Sequence, residues 1–513
     1  MSDLPSNADA LTRGLLHEPP SNLVNGVFRP LETEGSGCIV SHDPAEPETV
    51  VWRGVPNADH LEEAIAAARS AQPGWQAMGR EKRIECLRRW QEVTTARKAE
   101  VAELITREMG KVLSESLFEA GALAGKVDIA LDEQAASRTA DYEVKVNDTR
   151  DGYCRFKPHG VMAVLGPFNF PAHLPNGHFV PALIAGNTVI LKPSEKTPAV
   201  GQALAEMAVE AGFPAGVFNL VQGGSEIAST LSSHEDIDGV LFTGSWGVGR
   251  RILEANLDSP GRIVALELGG SNPSVVMPSA DLRQAVVECA RAAFATTGQR
   301  CTCTRRIILH RSISDQFISA LGRVASTLMV GPGLSTDPIF MGPLATGEAV
   351  DEVLAFQSDL HAAGADILVE STRIDGPGHF ITPGVVLVDR FRRETDTECF
   401  GPLVQLSIVD SFDDAIEQAN ATRYGLAASI FTQDDGEWER FLAECRSGCI
   451  NRNTGTAGAS SKLPFGGLGQ SGNHRPAAAF SGDYCAYPVA SMVEQSTGVA
   501  IPPGMQARDN WFS

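Results

Sequence analysis

Between Val161 and Leu266, short apolar runs alternate with helical patterns, and this constrains the fold more than any other feature of the chain. Residues 161–165, 188–192, 217–221, 239–243 and 263–266 read as short buried strands. Residues 179–185 (closed by Gly186), 198–211 (closed by Gly212), 226–232 and 246–255 read as helices. Such alternation predicts a doubly wound α/β fold, a parallel sheet with helices on both faces. Ligands on such sheets bind outside the carboxyl ends of the strands.

The flanking segments extend this plan. Residues 59–134 read as helical, with Val101, Leu104, Ile105 and Met109 on one apolar face and Gly110 as the stop. Residues 142–146 and 153–156 read as a hairpin around Asn147-Asp148, and the tail 482–494 reads as extended and able to pair with it. Such an arm is suited to oligomerisation. After Gly270 a second α/β unit begins, with strands at 274–277 and 306–310 and helices at 281–297 and 314–328. The expected division is 1–141 and 159–266 for dinucleotide binding, 267–481 for catalysis, and 142–158 with 482–496 for the arm. Met1–Pro20 is expected to be a flexible extension.

A chain of 513 residues is too long for one core. Its net charge of -21, from 63 acids against 42 bases, argues against a nucleic-acid partner. An anionic substrate would need locally placed cations. No apolar run is long enough to span a bilayer, so no membrane role is expected. The ten cysteines show no C-x-x-C spacing. No metal site is expected, and a reduced cytoplasmic compartment fits.

Individual motifs carry weak chemical signals. Gly298-Gln299-Arg300-Cys301-Thr302-Cys303 puts a cysteine beside a cation, which favours the nucleophilic thiolate. Arg300 has further readings, as a contact for a substrate carboxylate or as one half of an ion pair with an acid. Cys303 reads as a small hydrophobe. Leu266-Glu267-Leu268-Gly269-Gly270 supplies a carboxylate able to activate water. Asn169, between Pro167 and Pro171, is a rigid amide donor or a turn cap. Phe242-Thr243-Gly244-Ser245-Trp246-Gly247-Val248-Gly249 joins a strand to a helix and suits a pyrophosphate, although it lacks the G-x-G-x-x-G spacing. Lys192-Pro193-Ser194-Glu195 offers ribose contacts, and its acid favours NAD over NADP; a surface ion pair is the plain alternative. Glu398 and Phe400 suit the nicotinamide end, although a core phenylalanine is the default.

In order and spacing, PFNFP, KPSE, FTGS, LELGG, GQRC, ECFGP and PFGG resemble the aldehyde dehydrogenase superfamily over about 61–489. The resemblance implies an NAD-dependent dehydrogenase with Cys301 as nucleophile, Glu267 as general base and Asn169 as oxyanion donor. Lys192, Glu195 and Gly244 to Gly249 (Ser245, Trp246, Gly247 and Val248 between them) are implied as cofactor contacts, with Glu398 and Phe400. NFPAHLPNGHFVPALIAGNT, SGNHRP and DYCAYPVASM narrow it to relatives whose aldehydes carry carboxylates. His173, Ser460 and Ser461 are then substrate-contact candidates, His178 a satisfied helix residue and Arg475 a structural arginine. A homodimer or homotetramer is expected. The implied chemistry is attack of Cys301 on an aldehyde, oxidation to a thioester and hydrolysis through Glu267. The rivals are release of the thioester to coenzyme A, which has no use for Glu267, and a silent scaffold, which would have no need of Cys301.

Overall fold

The computed structural model describes residues 14–498 and 501–505. Two seven-stranded sheets dominate it. The first has the spatial order Ile263–Glu267, Gly239–Thr243, Val161–Leu165, Thr188–Lys192, Phe218–Leu220, Ser21–Val24, Val27–Pro30. Its first five strands are parallel. The last two form an antiparallel hairpin added at the edge.

Strand periodicity divides the core of this sheet. Met162, Val164, Val189 and Leu191 face one buried cluster; Val161, Ala163, Leu165 and Ile190 face the other. Successive side chains point to opposite faces, so a strand covered on both sides must be apolar throughout. Arg80–Ala96, Lys98–Met109, Leu113–Leu131, His173–Ala185 and Pro198–Glu210 cover the first face. The helices Ser225–Ser233 and Trp246–Ala255, with most of Ala58–Ala77, cover the second.

The chain runs outward from Val161–Leu165 through Thr188–Lys192 to Phe218–Leu220, then returns to place Gly239–Thr243 on the other side of Val161–Leu165. The order reverses between those two strands, and the crevice lies at such a reversal. The loops that begin at Gly166 and Gly244 leave from there.

The second sheet has the order Asp366–Val369, Gly384–Leu387, Leu403–Val409, Thr304–His310, Asn272–Val276, Ala427–Phe431, Cys449–Arg452. Only Asp366–Val369 runs antiparallel to its neighbour. Helices Leu282–Phe294 and Arg311–Ala325 pack on one face, and Phe412–Ala419 and Asp435–Glu444 on the other. A third sheet joins Tyr142–Lys145 to Arg150–Pro158, and Arg150–Pro158 to Ala486–Glu494, all antiparallel. The expected hairpin and its tail are therefore paired within one chain.

Some boundaries differ from expectation. The helix expected over 179–185 begins at His173, and that expected over 314–328 is Arg311–Ala325. The helix expected over 281–297 is shorter. Asp281 caps it through Gln284 N, and it ends at Phe294. Residues 1–13 of the expected flexible extension lie outside the described residues. Beyond them the segment is docked: the His17 and Glu18 amides each donate to Glu206 at 3.1 Å, and Leu15 and Leu16 pack on the core.

Candidate active site

Cys301 sits on a turn of unusual backbone. Thr296 and Thr297 both have φ 55° and Gly298 has φ 70°, so three successive residues are left-handed just before the nucleophile candidate. Side chains with a Cβ rarely adopt this region. At Gly298 a Cβ would also collide with the Gly401 carbonyl. The GQRC and ECFGP motifs thus abut through bare backbone. Arg305 ties them together, donating to Gly401 O at 2.9 Å, Gly298 O at 2.6 Å and Arg300 O at 3.1 Å.

Two asparagines brace the same turn. Asn272 Nδ2 donates to Cys301 O at 2.7 Å and Cys303 O at 2.8 Å. Asn169 Nδ2 donates to Gln299 O at 3.0 Å. Asn169 is buried, and its amide carries a second N–H. The turn-cap reading of Asn169 gives way to a bond that spans the two sheets.

Glu267 ends the strand Ile263–Glu267 and is buried. Among the described residues its Oε2 has no hydrogen-bond partner. Burial raises its carboxyl well above the usual range, opposed by a hydrogen bond from the Ala477 backbone. A Cβ on Gly466, from PFGG, would stand 3.0 Å from Glu267 Oε1. A cavity of about 330 Å³ opens here, lined by Glu267, Gly466, Gly472 and Pro476 among others.

Cys301 is half-buried. Loss of solvation pushes its thiol up, and the charges of Glu398 and Glu267 add to the rise. Of the readings of Arg300, the structure shows the ion pair with an acid rather than a cation aimed at the thiol. Arg300 donates to Thr296 Oγ1 through Nε and to Glu115 Oε1 through Nη2, both at 2.7 Å. Its charge is matched to an acid, and the largest charge effects on Cys301 come from the carboxylates of Glu398 and Glu267. Cys303 is fully buried, in keeping with a packing role.

The residues expected at the cofactor lie around the first sheet's crevice. Ser245 caps Trp246–Ala255, accepting from Val248 N at 3.4 Å. Its helix N-terminus offers unpaired N–H groups to an anion. Gly244 precedes the cap, and Gly247 has open space where a Cβ would be. A Cβ at Gly249 would lie 2.8 Å from Leu268, so the helix packs tightly on the LELGG turn. Trp246 and Val248 are partly buried against the core beneath. Lys192 is buried, with Nζ 3.4 Å from Glu195 Oε2. Glu195 is half exposed, so the pair still reaches the surface. Glu398 Oε1 accepts from Gly270 N at 3.0 Å, and burial lifts its pKa to about 7. A Cβ at Gly269 would collide with that carboxylate. Phe400 meets Phe168 edge to face at 5.9 Å and is half-buried, unlike an ordinary core ring. This glycine-lined turn, helix end and acid fit a dinucleotide.

The substrate candidates are less uniform. His173 begins its helix, and its N–H donates to Glu119 Oε1 at 3.1 Å. Burial lowers its pKa to about 4, so the ring is neutral near pH 7, and Nδ1 is buried without a partner among the described residues. Ser460 is exposed and its hydroxyl accepts from Lys462 N at 3.3 Å; Ser461 is half-buried in the same loop. His178 is satisfied by Tyr484 at 2.9 Å and Thr243 at 3.2 Å. Arg475, expected to be structural, is exposed, and among the described residues its Nη1 donates to the neighbouring His474 carbonyl alone, at 3.3 Å.

Three residues that the sequence left unassigned belong to this site. Asn272 and Arg305 hold the nucleophile turn through carbonyls, which carry no sequence signal. Cys449 lies near enough to Cys301 and to Glu267 for charge on one to act on the other; a cysteine in a strand pattern gives no hint of that.

The model of the aldehyde dehydrogenase family matches residues 31–486. The N-succinylglutamate 5-semialdehyde dehydrogenase of Caulobacter sp. strain K31 is 45% identical over 474 residues, 91% of this chain and 95% of that protein. The enzyme of the same name from Chromobacterium violaceum is 43% identical, over 91% of this chain and 96% of its own. Among solved structures, lactaldehyde dehydrogenase from Escherichia coli superposes with a TM-score of 0.87 at 29% identity, covering 93% of this chain and 100% of that one. A betaine aldehyde dehydrogenase mutant from Staphylococcus aureus, solved with NAD+, gives 0.88 at 26% identity, covering 97% and 98%.

Proposed function

The chain belongs to the aldehyde dehydrogenase family, and from that premise we propose that it oxidises N-succinyl-L-glutamate 5-semialdehyde to N-succinyl-L-glutamate with NAD, in arginine catabolism. The observation that carries the substrate is the 45% identity to a protein of that name across 91% of the chain. The chemistry is supported by the bond from Asn169 to the Gln299 carbonyl, two residues before Cys301, and by the charge of Glu267 bearing on the Cys301 thiol.

In this reading Cys301 gives its proton to water and attacks the aldehyde carbon, and loss of hydride from that carbon leaves a thioester on the sulfur. The free Asn169 N–H and the Cys301 backbone N–H hold the oxyanion. A nicotinamide dinucleotide, held by Gly244 to Gly249, Lys192, Glu195, Glu398 and Phe400, supplies the hydride acceptor when bound. Glu267 then takes a proton from water, and the hydroxide releases the carboxylate from Cys301. The unpartnered Oε2 of Glu267 beside a cavity supports hydrolysis over transfer to coenzyme A.

We assign residues 1–141 and 159–266 to cofactor binding, 267–481 to catalysis, and 142–158 with 482–496 to an arm that joins subunits into a homodimer or homotetramer. NAD is preferred because Glu195 would repel a 2′-phosphate. A cytoplasmic location follows from the metabolic role, and among the described residues no helix is long and apolar enough to cross a membrane.

The deciding experiment is an assay of a semialdehyde panel with NAD and with NADP. The highest kcat/KM is expected for N-succinylglutamate semialdehyde with NAD. A higher value for succinic or glutamic semialdehyde would replace the substrate, and a higher value with NADP would replace the cofactor.

A further inference from the structure

The chain has 63 acids against 42 bases, and the carboxyls of Glu267 and Glu398 bear on Cys301. An anionic aldehyde must therefore find a cation within the length of its own short carbon tether. Most basic groups around the turn are committed. Lys111 is fully buried and paired to Glu119. Lys126 is buried on the Ala478 carbonyl at 2.7 Å. Arg305 and Arg306 are fully buried, each on three backbone carbonyls.

Arg300 differs from these. Its side chain keeps 22% exposure, and that of Glu115 keeps 19%. Nε and Nη2 are occupied, but among the described residues Nη1 has no hydrogen-bond partner. A guanidinium presents its donors as a planar fork that suits a carboxylate. The guanidinium carbon lies 5.4 Å from the Phe170 ring centroid, and Phe170 follows Asn169. The main chain of Arg300 is pinned by Arg305 at 3.1 Å. A partly open positive charge thus stands one residue from the nucleophile, beside the ring that follows the oxyanion donor.

We propose that Arg300 reads a carboxylate of the substrate, with Glu115 as the acid that holds the guanidinium in place and competes for it. This deepens, and rests on, the reading of the site as one for a carboxylated semialdehyde. In the plainer alternative the pair only pins the turn. Removal of the acid separates the two. A structural pin breaks alike from either side, whereas loss of a competitor leaves the cation to the substrate.

The test uses the full-length enzyme with Arg300→Gln, Arg300→Lys and Glu115→Gln. KM and kcat are measured for N-succinylglutamate semialdehyde and for propanal, with thermal midpoint and NAD affinity beside them. Arg300→Gln should raise KM for the charged aldehyde about tenfold or more, and far more than for propanal. Arg300→Lys should recover part of that loss. Glu115→Gln should leave KM for the charged aldehyde unchanged or lower it. The proposal is overturned if Arg300→Gln and Glu115→Gln raise KM alike, or if the loss is equal for both aldehydes. Should Arg300→Gln fail to fold, Glu115→Gln decides: a raised KM for the charged aldehyde sinks the idea. Should the wild type prefer another carboxylated semialdehyde, the substrate reading fails, and the same contrast on that aldehyde still decides the role of Arg300.

Discussion

The side-chain nitrogen of Asn169 lies 3.0 Å from the carbonyl of Gln299, two residues before Cys301. One amide hydrogen is thereby fixed, and in the proposed mechanism the other is left for the oxyanion. Asn169→Ala should lower the acylation rate roughly 100- to 1,000-fold, the loss of about 3–4 kcal/mol typical of one such donor. The rate of the NADH burst measures it. A change in KM alone would leave Asn169 as a brace and nothing more.

Cys301→Ala should abolish aldehyde oxidation, whereas Cys303→Ala should retain it, because Cys303 is fully buried under the turn. Steady-state NADH production distinguishes them. Residual turnover in Cys301→Ala would move the nucleophile to another thiol, with Cys449 as the next to examine.

Glu267→Gln should give a burst of NADH and then near-arrest, because deacylation loses its base while acylation keeps its sulfur. Equal loss in both phases would contradict the assignment. Burial raises the Glu267 carboxyl, and a base works only once deprotonated. The deacylation rate should therefore rise with pH through and above the usual carboxylate range. A flat profile would show that Glu267 does not set it.

Glu398 yields a stability prediction of definite sign. Burial lifts its pKa from 4.5 to about 7, so the folded chain binds this proton more tightly than the unfolded chain. The contribution is complete below pH 4.5 and is lost as pH rises toward 7. Glu398→Gln should flatten the pH dependence of the urea midpoint between these limits. An unchanged slope would assign that dependence to other groups, Glu267 first among them.

Much of this architecture is legible from the residues alone, for reasons that differ by element. Val161–Leu165, Thr188–Lys192 and Gly239–Thr243 appear at their expected bounds because they are buried on both faces and flanked by turn formers. Cys301, Asn169 and Glu267 can be found through motif order, and the fold brings their loops together. The end of the helix at Phe294 is not legible. Thr296 and Thr297 have no propensity for left-handed backbone; contact between Gly298 and Gly401, about one hundred positions later, accompanies it. The edge hairpin does carry a signal, though a faint one in so short a segment. Asn25 at φ 52° and Gly26 at φ 76° form the turn that an Asn-Gly pair favours. Arg300 is legible only as a choice between roles, and its partner Glu115 cannot be chosen without the packing of Leu113–Leu131.

The pairing of Arg150–Pro158 with Ala486–Glu494 also governs how the nascent chain matures. Arg150 meets Glu494 across 344 positions. At ribosomal speeds of about 5–20 residues per second, the early hairpin waits roughly 17–70 s for its last strand. Throughout that interval one hydrogen-bonding edge of Arg150–Pro158 stays open, with Tyr142 and Val144 already displayed beside it. A message truncated before codon 486 would therefore yield a product with that edge permanently bare.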